Sequence, residues 1–262
     1  MLCILHIFLV YEFVFWEALT PAQGSPCVGD GRAMVARRRC DAYEIKPYRY
    51  MWSLEQLAVK LFDAGAVRLG DIEAKEGRRT PIYFDLRIIV SHPTIMMAVA
   101  IHLQNLAAEI NHDILCGVPY AALPITAVMA VNSGTPMIMK RKETKLYATR
   151  KILEGIFQPK QKCLVIEDVV TSGGSLLETV STLRTEGLSV TDAVVVLDRE
   201  QGGAAVLNTN GVTAHSLFTM SELVKILKDA GRITDETVEM VSDHIKVCQF
   251  GIGDNLEIAE RV

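Results

Sequence analysis

Between Ser53 and residue 247, short apolar runs alternate with stretches of helical periodicity, and this alternation limits the fold more than any other feature. Six runs read as strands, at 82–86, 114–118, 136–140, 163–168, 193–197 and 213–218. Helical patterns fall at about 94–110, 122–132 and 174–187. Strands that are apolar throughout belong in a mainly parallel sheet with helices on both faces, so an α/β fold is expected. In such folds a ligand lies at the carboxyl ends of the strands. Ser53 opens the first helix: Leu54, Leu57, Ala58, Leu61 and Phe62 recur at helical spacing and Gly65 ends it.

The 262 residues suit one large α/β domain, or one domain with tails, and half of them are apolar. A net charge of −4 argues against bulk electrostatic binding of nucleic acid. The six cysteines are scattered without a C-x-x-C pair, which points to neither a zinc site nor a dense disulfide framework. A reducing compartment, the cytoplasm, is the simpler reading.

Residues 1–50 differ from the rest. The apolar and aromatic run at 1–11 is broken by Glu12 and Glu17, well short of the ~20 residues that span a bilayer. A signal peptide needs a basic start, which is missing, although 18–24 carries small residues of the kind found at cleavage sites. Gly24, Ser25, Pro26, Gly29, Gly31 and Arg37-Arg38-Arg39 read as linker. The division expected is a disordered or non-native extension at 1–50, the main domain at 51–220, and C-terminal helices with a tail at 221–262. No membrane association is expected.

The strongest chemical signal is Cys163 to Leu177. An apolar strand ends in Glu167 and Asp168, passes through Val169 and Val170, and enters the turn Thr171, Ser172, Gly173, Gly174, Ser175 before a helix opens. Backbone N–H groups, hydroxyls and the positive end of the helix dipole then converge as a cradle for a phosphate monoester. The two acids suit neighbouring sugar hydroxyls, so a ribose 5-phosphate fits both halves. The glycines lack the Walker spacing and no Lys follows them, which disfavours a P-loop ATPase. A second signal is the basic loop Lys140 to Lys151. Lys140, Arg141, Lys142, Lys145, Arg150 and Lys151 stand against Glu143 alone, a local +5 suited to a diphosphate. Arg199 follows a strand end, and its planar fork suits a carboxylate, with an ion pair to Asp198 or Glu200 as the plainer alternative.

The Cys163–Leu177 segment resembles the phosphoribosyl-pyrophosphate motif of the type I phosphoribosyltransferases. Four further stretches, beginning at Pro81, Cys116, Arg141 and Leu197, carry the likeness over about 53–247. Within that superfamily the chain is most similar to orotate phosphoribosyltransferases, in the form found as the first domain of uridine 5′-monophosphate synthase. No stretch here resembles the decarboxylase barrel of that bifunctional enzyme. The resemblance implies the type I fold with a small hood, and Mg²⁺ held through the substrate rather than by protein ligands. It also implies a homodimer in which the basic loop closes over the partner's active site. Lys145, Lys142 and Asp168 are the catalytic residues it implies. Phosphoribosyl pyrophosphate would be bound by Tyr120, Arg141, Lys142, Lys145, Tyr147, Glu167, Asp168, Val169, Val170 and residues 171–175. Orotate would be bound by Lys75, Tyr83, Phe84, Thr171 and Arg199. The chain departs from the family pattern at Glu76, Ala121, Tyr147 and Ala148.

Two other readings stay open on the residues alone: transfer to a different base such as a purine, and a regulatory protein that kept the site without catalysis. His92, His102 and His112 match no metal geometry. Met96 and Met97 read as core, and Cys116 and Cys163 as inert strand residues.

Overall fold

A computed structural model describes residues 52–73, 79–142 and 152–251. The chain begins with α1 (Leu54–Asp63), opened by Ser53 in a reciprocal capping box with Gln56. It continues through β1 (Val67–Glu73) and β2 (Arg79–Phe84), a 3₁₀ turn at Leu86–Ser91, then α2 (Pro93–Leu106) and β3 (Ile114–Gly117). Next come α3 (Ala122–Ser133), β4 (Met137–Lys140), β5 (Leu153–Glu154), β6 (Cys163–Val170) and α4 (Gly174–Thr185). The last elements are β7 (Asp192–Asp198), α5 (Gly203–Thr209), β8 (Thr213–Thr219), α6 (Met220–Asp229) and α7 (Asp235–Val247).

Six strands form one sheet in the order β5-β4-β3-β6-β7-β8, parallel except for the short edge strand β5. Successive residues of its central strands point to opposite faces, and both faces are covered. Leu115, Leu164, Ile166, Val194 and Val196 pack with α1, α2, α3, α6 and α7 through Leu57, Val99, Ile125, Leu223 and Val241. On the other face, Cys116, Cys163, Val165 and Val195 meet Leu176, Val180 and Leu183 of α4 and Leu207 of α5. The expected covering of a parallel sheet on both sides is what the structure has. Among the described residues no helix is long and apolar enough to cross a membrane.

One expected strand lies elsewhere. The run at 82–86 belongs to β2, which pairs antiparallel with β1 in a separate two-stranded sheet. That strand stops at Phe84 because Asp85 Oδ1 accepts the Arg87 N–H and turns the chain into the 3₁₀ segment. β6 in turn runs two residues past the acids, since Val169 and Val170 pair with Leu197 and Asp198. Glu167 and Asp168 therefore sit within the ladder, on opposite faces, rather than at its end.

Candidate active site

The carboxyl edge of the parallel sheet gathers the chain leaving β3, β4, β6 and β7. The register aligns these ends, with Gly117 beside Met139 and Ile166, and Val170 beside Asp198.

On β6 the two acids have different surroundings. Glu167 is 3% exposed; Oε1 accepts the Asp168 N–H at 3.0 Å and Oε2 accepts the Ser175 hydroxyl at 3.1 Å. Burial first, and then the adjacent Asp168 carboxyl, hold its pKa well above the usual glutamate range. Glu167 thus secures the turn from beneath, and Asp168 is the half-buried acid of the pair. Gly173, buried and left-handed with φ 83°, stands at the N-cap of α4, where no side-chain cap bond is made. The first amides of α4 keep their N–H groups for another acceptor, within reach of the Thr171, Ser172 and Ser175 hydroxyls.

The loop after β7 is fastened to this turn. Arg199 N–H donates to Val170 O at 2.9 Å, and Gly203 N–H donates to Thr171 O at 3.0 Å. A Cβ at Gly203 would lie 2.5 Å from Thr171 O, so only glycine permits this approach. Gly202 and Gly203 close the stretch that begins at Leu197, and their position directly after a charged strand end is the sequence signal for this contact. Arg199 is half-buried, and its Nη2 donates to Thr80 Oγ1 at 3.2 Å. The neighbouring acids are engaged by backbone: Asp198 Oδ1 accepts Glu200 N–H at 2.8 Å, and Glu200 Oε2 accepts Ser221 N–H at 2.6 Å.

The basic loop needs a correction. Lys140 is not a solvated loop charge; its side chain is 5% exposed and its Nζ lies 2.5 Å from Glu178 Oε1 on α4. Lys140 alternates inward on β4 and must be paired to be buried. Arg141 is likewise joined to Glu154 of β5. Lys142 is placed differently, with Nζ 4.7 Å above the ring of Tyr120, which is 63% exposed beyond β3. Two sequence-predicted phosphate ligands from different strands thus meet at the sheet edge. Lys75, Lys145 and Tyr147 lie outside the described residues. On the hairpin, the Tyr83 hydroxyl accepts from Arg87 Nη2 at 3.2 Å and the Phe84 side chain packs against the core.

The remaining candidates are structural. His102 Nε2–H reaches Trp52 O at 2.9 Å and His112 Nδ1–H reaches Ile110 O at 2.7 Å. Cys116 and Cys163 are buried side by side in β3 and β6; the neighbouring Cys116 thiol first, and then burial, push the Cys163 thiol far up.

No family model matches the chain. It is 45% identical over 199 residues to the uridine 5′-monophosphate synthase of Bos taurus, covering 75% of this chain and 42% of that protein. It is 39% identical over 175 residues to the orotate phosphoribosyltransferase of Chlamydia caviae, covering 66% of this chain and 85% of that one. Among solved structures, the UMP synthase of Leishmania donovani superposes with a TM-score of 0.69 at 30% identity, over 76% of this chain and 43% of the other. The chain spans less than half the length of the two synthases.

Proposed function

The chain belongs to the orotate phosphoribosyltransferases, and from that premise we propose that it joins orotate to the ribose of phosphoribosyl pyrophosphate, giving orotidine 5′-monophosphate and pyrophosphate in pyrimidine synthesis. The observation that carries the reading is the hydrogen bond from Gly203 to Thr171 O. It fixes an anion-seeking arginine loop beside a hydroxyl-rich helix start, so a carboxylated base and a sugar phosphate can be held next to each other.

In this reading residues 171–175 receive the 5-phosphate on hydroxyls and helix amides, with Val169 and Val170 lining the approach. Asp168 takes the ribose hydroxyls, while Glu167 keeps Ser175 and the turn in place. Arg199, with Lys75, Thr171 and the Tyr83–Phe84 backbone, receives orotate. Tyr120, Arg141, Lys142, Lys145 and Tyr147 surround the diphosphate. A ring nitrogen of orotate forms the new bond to the anomeric carbon as the bond to pyrophosphate breaks. Orotate is acidic at its ring nitrogens, so the site need only position it and stabilise charge. Lys142 and Lys145 favour the departing pyrophosphate.

Among the described residues no three acidic, His or Cys side chains are grouped to hold a metal. The family resemblance implies magnesium carried on the substrate, with Asp168 as the side chain whose chemistry suits it, and the ion would neutralise the leaving group. A homodimer with the basic loop acting in trans, a cytoplasmic location, and the division at about 50 and 220 are parts of the same proposal. The unpaired Cys116, Cys163 and Cys248 suit a reducing compartment.

The test is a coupled assay of the full chain with Mg²⁺, phosphoribosyl pyrophosphate and a panel of bases. Orotidine monophosphate is expected from orotate, with Asp168→Asn weakening phosphoribosyl pyrophosphate use by ~1–3 kcal/mol. Product from a purine alone would overturn the reading, and unchanged kcat/KM in the variant would remove Asp168 from the ribose.

A further inference from the structure

Arg199 is held from outside the loops that form the site. Thr80 on β2 is 3% exposed; its hydroxyl donates to Ile82 O at 2.8 Å, and its oxygen accepts from Arg199 Nη2 at 3.2 Å. Nε2 of His244, on α7, lies 3.4 Å from that same oxygen and 3.4 Å from Nε2 of Gln201, which is 2% exposed. On its other side, His244 Nδ1 stands 3.6 Å from Cys248 Sγ, one helical turn on. A guanidinium, a hydroxyl, an amide and an imidazole thus form one cluster that joins β2, the loop after β7 and the last helix. Burial, and then the Arg199 charge, push the His244 pKa below its usual value. The ring beside the arginine is therefore neutral near pH 7. With its proton on Nε2, the neutral imidazole donates to Thr80 Oγ1 and accepts from the Cys248 thiol on Nδ1, without setting a like charge against the guanidinium.

We propose that Thr80 and His244 are positioning residues that hold Arg199 in the orientation needed for the carboxylate of the base, which makes α7 part of the specificity device. This rests on the reading of Arg199 as the orotate anchor. An unsupported arginine must be ordered on binding, whereas one already held by a buried hydroxyl presents its fork at lower entropic cost. The contribution therefore falls on the affinity for orotate and leaves phosphoribosyl pyrophosphate largely untouched.

The experiment compares Arg199→Ala, Thr80→Val, Thr80→Ser, His244→Phe and the Arg199→Ala/Thr80→Val double variant in the full chain, with KM for each substrate, kcat and melting temperature. Thr80→Val and His244→Phe should each raise the orotate KM about five- to tenfold, the loss of one net hydrogen bond. The phosphoribosyl pyrophosphate KM should stay within about twofold in both, and Thr80→Ser should restore the orotate KM. With Arg199 already removed, Thr80→Val should add nothing, because it acts through the arginine. If Arg199→Ala leaves the orotate KM unchanged, the anchor reading falls and takes this proposal with it. If Arg199→Ala raises it while Thr80→Val and His244→Phe do not, the anchor stands and the positioning role is wrong. Additive effects in the double variant, or equal rises in both KM values, also overturn it.

Discussion

Glu167 shows how the surroundings of one residue link stability to chemistry. Its folded pKa is raised by burial and by Asp168, so the folded chain retains a proton that the unfolded chain has lost. Its favourable contribution is complete below the ordinary value near 4.5 and disappears as pH rises through the raised folded value. The residue is retained because it holds Ser175. Glu167→Gln removes the titration. Relative to the parent, its melting temperature should be unchanged or lower at pH 4 and should gain on the parent as pH rises to 8, while kcat/KM falls. A difference that is the same at both pH values would show that Glu167 does not titrate in this way. The residue types of this site were legible, because carboxylates, hydroxyls and glycines at that spacing suit few ligands. The raised pKa of Glu167 was not legible, since it depends on burial and on which face of β6 each acid occupies.

Secondary structure is held at two helix starts by the same device. Ser53 with Gln56, and Thr219 with Glu222, form reciprocal capping boxes at α1 and α6. Thr219 also ends β8, so strand passes to helix with no linker. Thr219→Ala should lower stability by about 1 kcal/mol, seen as a lower urea midpoint with unchanged slope and faster amide exchange in α6. Unaltered exchange there would place the cap's contribution elsewhere. Five of the six apolar runs expected as strands lie in the parallel sheet. The sixth could not be told from them by composition, because a short apolar run looks alike in either sheet. Its partner β1 carries Gly70 at φ 133° and a register shift between Leu69 and Ile72, which break the alternation that would have marked it. The two-residue β5 is too short to leave a pattern at all.

For the whole molecule, the question is whether one chain completes its own site. Lys140 and Arg141 are neutralised by Glu178 and Glu154, which leaves Lys142, Lys145, Arg150 and Lys151 against Glu143 in the loop. An excess of positive charge that size is self-repelling unless an anion collects there. Lys145→Ala should therefore lower kcat strongly with nearly unchanged product binding, as for a group acting in the transition state. Mixed with Asp168→Asn and re-equilibrated, it should form heterodimers whose activity exceeds that of either variant. No gain, with heterodimers confirmed by native mass spectrometry, would mean that the loop serves its own subunit. The sequence by itself determined the α/β layering and the hydroxyl- and glycine-rich turn at 171–175 after two acids, because these follow from local periodicity and from residue chemistry within a short span. Only the tertiary structure decided which cations are already paired, how Gly203 fastens one loop to the other, and that Thr80 reaches Arg199 and His244 reaches Thr80. Those contacts join residues 119 and 164 positions apart in the chain, and no pattern within a segment encodes a partner on another strand or helix.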